Sequence, residues 1–366
     1  MKRIQSLLAA ACMVASAPAI AQSVLTVCNL TDCPAAYSSI SDAVNAASAG
    51  DIIQILPSPI SYGDVTVDKA VTLQGGGHAI AALSGVRATV GVVSVSASEI
   101  VISGLFLQSV KLTSGLASVL ENNVVQNNRF YGSGRFIECN ITGGGTKNWV
   151  IEGNVFTPDA PPNSRPIFTT SNRDTTWDIR NNYIEQYWPY QRVFEGATPI
   201  LATAAHLFRN NVVYASGASA FALSGSMNVS AHSNIFWVAN AAYTFMPTAT
   251  PQLLHFQSNV LYSPAGSVAD PDPTYGNVVD TDPAFELLES GLPEWSYGND
   301  FGLSAASSVS SSGLGGQEPG IYGNAFNFSM SGHPEGLPRF TSVSKAYEIL
   351  PAGETLQLDV EWDSGE

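Results

Sequence analysis

The feature that most constrains this chain is a short motif that recurs at intervals of 23 to 31 residues between residues 121 and 262. In each copy an Asn stands directly before a short apolar run, and a loop leads to the next copy. The apolar runs alternate as half-buried strands do, and no helical period fits them. Repeats of this length indicate a solenoid, a propeller or an array. The copies are Glu121–Val125, Glu152–Phe156, Arg180–Ile184, Arg209–Val213, His232–Phe236 and Gln257–Leu261.

The Asn of each copy indicates which of these architectures forms. Asn tolerates left-handed backbone better than any residue except Gly, so a fixed Asn indicates a sharp bend between two strands. Amide side chains in stacked coils can hydrogen-bond in a column. The sequence therefore predicts an all-β fold, a single right-handed parallel β-helix, with a structural Asn ladder. The predicted ladder residues are Asn123, Asn154, Asn182, Asn211, Asn234 and Asn259.

The repeats resemble those of the pectin-lyase-like β-helix superfamily, and the resemblance covers most of the chain. The segment from Ala43 to Ile53 is similar to the helix and strand that cap the first coil of many such proteins. Within it, residues 39–48 are predicted to form a short helix that Gly50 ends. The resemblance implies a secreted bacterial β-helix repeat protein that acts on or binds polysaccharide.

The amino terminus predicts export. Met1–Arg3 is basic, an apolar stretch follows, and Ala19-Ile20-Ala21 is a small-x-small cleavage site, so residues 1–21 are predicted to be a signal peptide. No later stretch is long and apolar enough to predict a membrane span. The expected location is outside the cell or at its surface. The expected organisation is a β-helix over residues 22–331 and a linker with a small strand appendage over residues 332–366.

The cysteines fit an exported chain. Cys28 and Cys33 flank a short loop, which predicts a disulfide. Cys139 is either a buried residue of the stacked coils or a reactive thiol.

Charge and aromatic residues suggest a binding partner. The formal net charge is −15, which argues against a nucleic-acid partner. Basic and aromatic residues are concentrated in the repeats, and aromatic faces with arginines suit an anionic or neutral polysaccharide. Alternatively, the aromatic residues pack loops onto the solenoid and the arginines neutralise acids such as Asp178. The predicted substrate-binding residues are Trp177, Tyr187, Trp188, Tyr190, Arg192 and His206.

A lyase acting on uronate-containing polymers is the catalytic hypothesis. It needs a base, a group that neutralises the carboxylate and an acid for the leaving oxygen. The family resemblance assigns the base to Lys or Arg, for which Lys147, Arg165 and Arg173 are the candidates. None of them lies in a motif that matches a known lyase. Polygalacturonase-type hydrolysis is disfavoured, because it needs a paired Asp and a Gly-His-Gly segment. The nearest match to that segment is Gly77-His78-Ala79, which is incomplete and lacks the paired Asp. The alternative function is a non-catalytic surface or adhesive scaffold.

Two features of the C-terminal third leave alternatives open. The acids Asp270, Asp272, Asp280 and Asp282 could bind calcium or could be solubilising residues of turns. Residues 356–362 alternate apolar and polar side chains, which predicts a strand that needs a partner. It either pairs with the segment 340–349 and covers the last coil, or adds to a sheet of a partner surface protein.

Overall fold

The structure is a computed structural model of the chain. It describes residues 22–79, 86–112, 118–139, 144–157, 165–169, 176–186, 193–196, 206–216, 223–225, 228–240, 242, 245, 254–335, 337, 339–345 and 358–363.

The described residues form one α-helix, three short 3₁₀ helices and thirty strands. Helix α1 is Ile40–Ala46, and the 3₁₀ helices are Pro273–Tyr275, Leu314–Gly316 and Gly323–Ala325. The strands are β1 Val24–Val27, β2 Ile52–Ile55, β3 Val65–Val67, β4 Thr72–Gln74, β5 Thr89–Val95, β6 Val101–Ser103, β7 Phe106–Leu112, β8 Val119–Glu121, β9 Val124–Gln126, β10 Arg129–Phe130, β11 Arg135–Cys139, β12 Gly145–Lys147, β13 Val150–Glu152, β14 Val155–Phe156, β15 Arg165–Thr169, β16 Asp178–Arg180, β17 Tyr183–Gln186, β18 Phe194–Gly196, β19 His206–Arg209, β20 Val212–Ala215, β21 Leu223–Gly225, β22 Val229–His232, β23 Ile235–Val238, β24 Leu254–Gln257, β25 Val260–Tyr262, β26 Val278–Val279, β27 Phe285–Leu287, β28 Asp300–Leu303, β29 Arg339–Lys345 and β30 Leu358–Asp363. None of the helices in the described ranges is long and apolar enough to cross a membrane.

Two long parallel sheets make the walls of a solenoid. One has ten strands in the order β1-β2-β4-β6-β9-β13-β16-β19-β22-β24, so each coil adds one strand. The other has fourteen strands: β5 and β7 run its full width, and later coils divide that width between paired strands such as β10 and β11 or β17 and β18. A two-stranded parallel sheet, β8 with β12, completes part of the wall. The predicted parallel β-helix is confirmed.

The interior of the coils is filled by stacked side chains of the same kind. Trp149, Trp177 and Phe194 stack in sequence, with ring centroids 5.8 Å apart at each step. Phe130 and Phe156 stack at 4.7 Å, and both are fully buried. Cys139 is also fully buried, which agrees with the alternative that it is a residue of the stacked coils. In-register stacking explains the repeat, because each apolar residue packs on its equivalents in the coils before and after it.

The bend between the two long sheets carries the Asn ladder. Its members are Asn128, Asn154, Asn182, Asn211, Asn234, Asn259 and Asn277, each linked to the next by its amide group. Five of the six predicted members are correct. Asn123 is wrong: it lies at another bend, before β9, where its side chain bonds the backbone of Ile100 and Ala97. Asn128, five residues later, occupies the ladder position.

The sequence pattern predicted left-handed backbone at the ladder Asn itself. In the structure the left-handed residue of each bend is the one directly before the ladder Asn. Asn127, Asn181, Asn210 and Ser233 have φ values of 52° to 58°, and Gly153 takes the same place with φ 64°. The ladder Asn has a different task, which is to satisfy backbone groups of the neighbouring coils.

The first coil is closed by the predicted helix and disulfide. The Ser39 hydroxyl accepts a hydrogen bond from the Asp42 N–H and caps α1, while Lys69 Nζ donates to three carbonyls at its other end. The Cys28–Cys33 disulfide closes the loop that returns Tyr37 to pair with the outer edge of β1. An otherwise open strand edge is thereby covered.

The segment after the last coil doubles back along the solenoid. Residues 283–335, here the return segment, first reach His78 in an early coil through Tyr297. They contact the bend at Ser233 through Leu314 and then pass Asn181 to reach His78 again at Ser331. They cover the outer face of the fourteen-stranded sheet and form a second apolar core there. That core contains Val155, Tyr183, Val212, Ile235 and Val260 of the solenoid and Phe301, Val309, Ile321 and Phe328 of the return segment.

The C-terminal strand pairs back on the chain, as one alternative predicted. β30 forms an antiparallel two-stranded sheet with β29, in which Val343 is aligned with Val360. That it covers the last coil stays a prediction. His333, shortly before β29, bonds the Gly76 carbonyl, and Pro334 lies against Gly104, so the chain that leads to the hairpin lies at the early coils.

Candidate functional site

The predicted catalytic bases do not come together in the described residues. Lys147 ends β12 and forms an exposed ion pair with Glu121 at 3.2 Å. Arg165 begins β15 in the fourteen-stranded sheet, which is a different sheet. Arg173 lies outside the described residues, as do four predicted sugar contacts, namely Tyr187, Trp188, Tyr190 and Arg192.

Two predicted substrate-binding residues are core residues instead. Trp177 is fully buried, and its indole N–H donates to the Thr146 hydroxyl inside the solenoid. His206 is also fully buried, edge-on to the Trp177 ring at 6.2 Å. Its Nδ1 accepts the Trp177 backbone N–H at 3.2 Å, and burial lowers its pKa to about 4. Neither side chain can contact a polymer on the surface, so both assignments are corrected.

Arginines on the outer face of the ten-stranded sheet are neutralised by acids. Glu152, Arg180 and Arg209 are aligned on neighbouring strands. Arg180 pairs with Glu152 at 2.6 Å, and both arginines pair with Asp178 at 2.8 Å. Burial opposes the charge of Arg180, but the two carboxylates outweigh it and raise its pKa. This row agrees with the alternative that the arginines neutralise acids.

A different cluster combines aromatic rings with a guanidinium held by uncharged groups. We call it the Arg129 surface. It lies on the outer face of the fourteen-stranded sheet, at the early coils. Its members are Arg87, Phe106, Arg129, Tyr131 and Tyr297.

A layered stack forms one half of the Arg129 surface. Tyr131 stacks on Phe106 with centroids 4.4 Å apart and 14° between the planes. The Arg87 guanidinium lies 3.3 Å from the Phe106 centroid. These two contacts must use opposite faces of the ring, because one face has no room for both groups. Tyr131 and Arg87 therefore present the outer layers of the stack, each partly exposed.

Arg129 forms the other half, and its side chain is held by uncharged groups. Its Nε donates to the Thr157 hydroxyl at 3.1 Å, and its Nη1 donates to the Tyr297 hydroxyl at 3.2 Å. Its guanidinium also lies 5.5 Å from the Tyr297 ring centroid. No carboxylate of the described residues pairs with it, in contrast to Arg180 and Arg209. A guanidinium oriented by neutral acceptors keeps its full charge for an external anion.

Strand register explains why this cluster is exposed. Phe106, Arg129, Val155 and Tyr183 are aligned on successive strands at an outward-facing position. From Val155 onward the row is apolar and is covered by the return segment. Phe106 and Arg129 lie beyond that cover, and Tyr297, at the margin of the return segment, remains 40% exposed.

A polar cleft lies beside the Tyr131 side of the surface. It has a volume of about 290 Å³ and lies between α1 and the strand β3; its lining includes Asn45, Asp64 and Ser94. Burial and the nearby Asp64 charge raise the pKa of Tyr131, so this phenol keeps its proton at neutral pH. The cleft carries two carboxylates, Asp64 and Asp68, so it does not favour an anion.

The sequence contained one signal for this site that motif analysis missed. Arg129 follows Phe106 by 23 residues, which is within the repeat interval, and stacking places such residues side by side. Tyr297 has no such signal, because it reaches the surface through a segment that has no repeat.

The acids proposed as calcium ligands are engaged in local hydrogen bonds. Asp270 accepts from the Asn277 side chain at the end of the ladder. Asp280 accepts from Ser267 and the Val268 N–H, which lowers its pKa, and Asp282 accepts from the Ala284 N–H. No group of three or more potential metal-ligating side chains occurs among the residues that the structure describes. Calcium binding stays an untested prediction.

Comparisons with known proteins give similarity at the level of architecture only. No protein-family model matches the chain, and no curated protein matches it. Among solved structures, the fold is similar to the crystal structure of pectate lyase Pel9A, with a TM-score of 0.37 and 13% sequence identity. The similarity covers 80% of this chain and 92% of that chain. At this level it supports no assignment of activity or of residues.

Proposed function

We propose that this protein is an exported β-helix protein that binds an acidic polysaccharide at the Arg129 surface. The observation that carries the proposal is the Arg129 guanidinium, which is held by Thr157 and Tyr297, uncharged partners, beside partly exposed aromatic rings. Apolar faces of sugar rings pack on aromatic side chains, and a guanidinium binds a carboxylate or sulfate in bidentate geometry. Both recognition elements are present within one cluster.

An extended ligand fits this surface better than a small one. Parallel coils give the Arg129 surface a regular, open face along the solenoid. Small-molecule sites are usually concave and bury most of the ligand, whereas this cluster is open. A polymer that contacts several subsites weakly is the corresponding ligand class.

Binding without cleavage is the function we favour over a uronate lyase. Arg129 could neutralise a carboxylate, and Tyr131 carries a proton at neutral pH. A lyase also needs a base in the same place, and the candidate Lys147 is paired with Glu121 in another sheet. Ultraviolet absorbance of unsaturated uronates, measured on pectate, alginate and glycosaminoglycans, tests for lyase activity. Formation of such products would replace the binding proposal with the lyase.

The binding experiment compares two polymers that differ only in charge. We expect the protein to bind pectate and to bind fully methyl-esterified pectin about tenfold more weakly or not at all, because esterification removes the carboxylates. Arg129→Gln should weaken pectate binding about tenfold without lowering the melting temperature, since the buried Thr157 hydroxyl keeps its bond to the Phe130 carbonyl and Tyr297 is partly exposed. Calorimetric titration measures both. Equal affinity for the two polymers, or an unaltered affinity in Arg129→Gln, would contradict the proposal and favour the scaffold alternative.

A further inference from the structure

The Arg129 surface is assembled from chain segments that are far apart in sequence. Tyr297 of the return segment bonds Arg129 across 168 residues and His78 across 219 residues. His78 is fully buried, and its backbone N–H donates to the Ser331 carbonyl. The return segment thus holds His78 from two sides, at Tyr297 and at Ser331.

Hydrogen-bond counting fixes the roles of the groups around Tyr297. Its hydroxyl donates to the His78 carbonyl at 3.1 Å and lies 3.2 Å from His78 Nδ1. Arg129 Nη1 donates to the same oxygen. With the one hydroxyl proton donated to the His78 carbonyl, we assign the hydrogen of the imidazole to Nδ1, which then donates to Tyr297, because the opposite tautomer would leave a buried Nε2–H without an acceptor among the described residues. His78 Nε2 is then an acceptor, and it has no partner among the described residues, which costs less than an unpaired donor would.

The surroundings keep His78 in this neutral form. Burial lowers its pKa well below the ordinary value, and the nearby Arg129 and Arg87 charges lower it further. The ring also packs against Trp295 and Tyr297, with centroids 6.1 and 5.8 Å away. Gly332 allows this packing, since a Cβ there would collide with the imidazole. The Tyr297 oxygen consequently receives two donors and is fixed in place.

We infer that His78 is a positioning residue of the polysaccharide-binding surface, acting through Tyr297 to orient the Arg129 guanidinium; the inference rests on the proposed function. It makes the return segment part of the binding site and not merely a cover for apolar surface. His78 itself is buried and contacts no ligand.

Two substitutions at His78 separate a positioning role from a structural one. In His78→Asn the amide N–H stands near the position of Nδ1–H and can still donate to Tyr297, whereas in His78→Gln the amide is displaced toward Nε2. We expect Asn to keep pectate affinity within about twofold and Gln to weaken it about tenfold. A merely structural role would lower the melting temperature of both variants and leave their affinities alike, which would overturn the inference.

A double-mutant cycle tests whether His78 acts through Tyr297. Tyr297→Phe removes the acceptor of Arg129 and should weaken pectate binding about tenfold, and adding His78→Gln should then cause little further loss. Tyr275→Phe is the matched control, because Tyr275 is 43% exposed but lies at the other end of the solenoid. Losses that simply add, or a Tyr297→Phe affinity equal to that of the control, would overturn the inference.

The outcomes also distinguish this inference from the function on which it rests. If wild-type protein fails to bind pectate, both fall. If Arg129→Gln loses binding while Tyr297→Phe and His78→Gln retain it, the binding surface stands and the positioning role of His78 is refuted.

Discussion

His206 shows how the solenoid interior changes the chemistry of a single side chain. On the sequence it is a histidine next to a basic and aromatic region, which suggested a sugar contact. Stacking places it inside the coils instead, between Trp177 and Phe194, both of which meet it edge-on. A charged imidazole there loses its water of hydration, so burial lowers its pKa to about 4.

This pKa predicts a loss of stability on acidification. The unfolded chain binds a proton at His206 below about pH 6.5, while the folded protein does so only below about pH 4. The free energy of unfolding should therefore be highest above pH 6.5 and fall between these values, by at most about 3 kcal/mol from this residue. Urea unfolding across this range measures it, with His206→Phe as the comparison. The same pH slope in both proteins would show that His206 is not responsible; a residual slope is expected from His78.

The bend between the two long sheets is the element that links coil to coil. At each coil it needs one residue with left-handed backbone and one amide side chain, and these needs fall on adjacent positions. Asn182 illustrates the second: its Oδ1 accepts the Asn154 backbone N–H at 2.9 Å and the Asn154 amide at 3.1 Å. Its own amide donates to the Ile151 carbonyl at 2.8 Å.

Replacing Asn182 with Leu should destabilise the protein by about 2–4 kcal/mol, because buried backbone groups of the neighbouring coil lose their partners. Backbone strain does not contribute, since the left-handed residue is Asn181. Thermal or denaturant unfolding measures the change. Asn45→Leu, the same substitution at an exposed position of α1, should change stability by less than about 0.5 kcal/mol. Equal effects of the two substitutions would mean that the ladder adds nothing to stability.

Elements with internal repeats were predictable, and elements without them were not. The repeated Asn identified the solenoid and five ladder positions. The first copy was predicted five residues too early, because Glu121–Val125 and the segment around Asn128 both contain an Asn-Asn pair. The helical pattern of residues 39–48 predicted α1, but the predicted stop at Gly50 is wrong, because the helix ends at Ala46 and the backbone is already extended at Ala47. The Arg129 surface was missed because its members come from three coils and the return segment, and only their register brings them together.

The whole molecule is a solenoid stabilised by two cores, one inside the coils and one outside. The outer core could not be predicted from the sequence. Its solenoid residues alternate along short strands with residues that face the inner core, so the two sets form one apolar run. Strands β17, β20 and β23 are buried along their full length, so both faces of the sheet are covered there. The return segment gives that sheet its second layer, and it also reaches back to the early coils, where Tyr297 meets Arg129.

Two truncations test whether the return segment or the terminal hairpin protects the solenoid. Ending the chain after residue 282 removes the return segment and exposes the outer apolar core, including Tyr183, Ile235 and Val260. We expect that protein to melt at a lower temperature and to self-associate, since a large exposed apolar face favours association.

Ending the chain after residue 338 removes β29 and β30, which form a sheet of their own, and should leave the melting temperature unchanged. Differential scanning calorimetry and light scattering measure the two properties. If the chain that ends after residue 338 also melts early and aggregates, the hairpin is a cap for the solenoid. If the chain that ends after residue 282 remains monomeric and equally stable, the outer core contributes nothing to the fold.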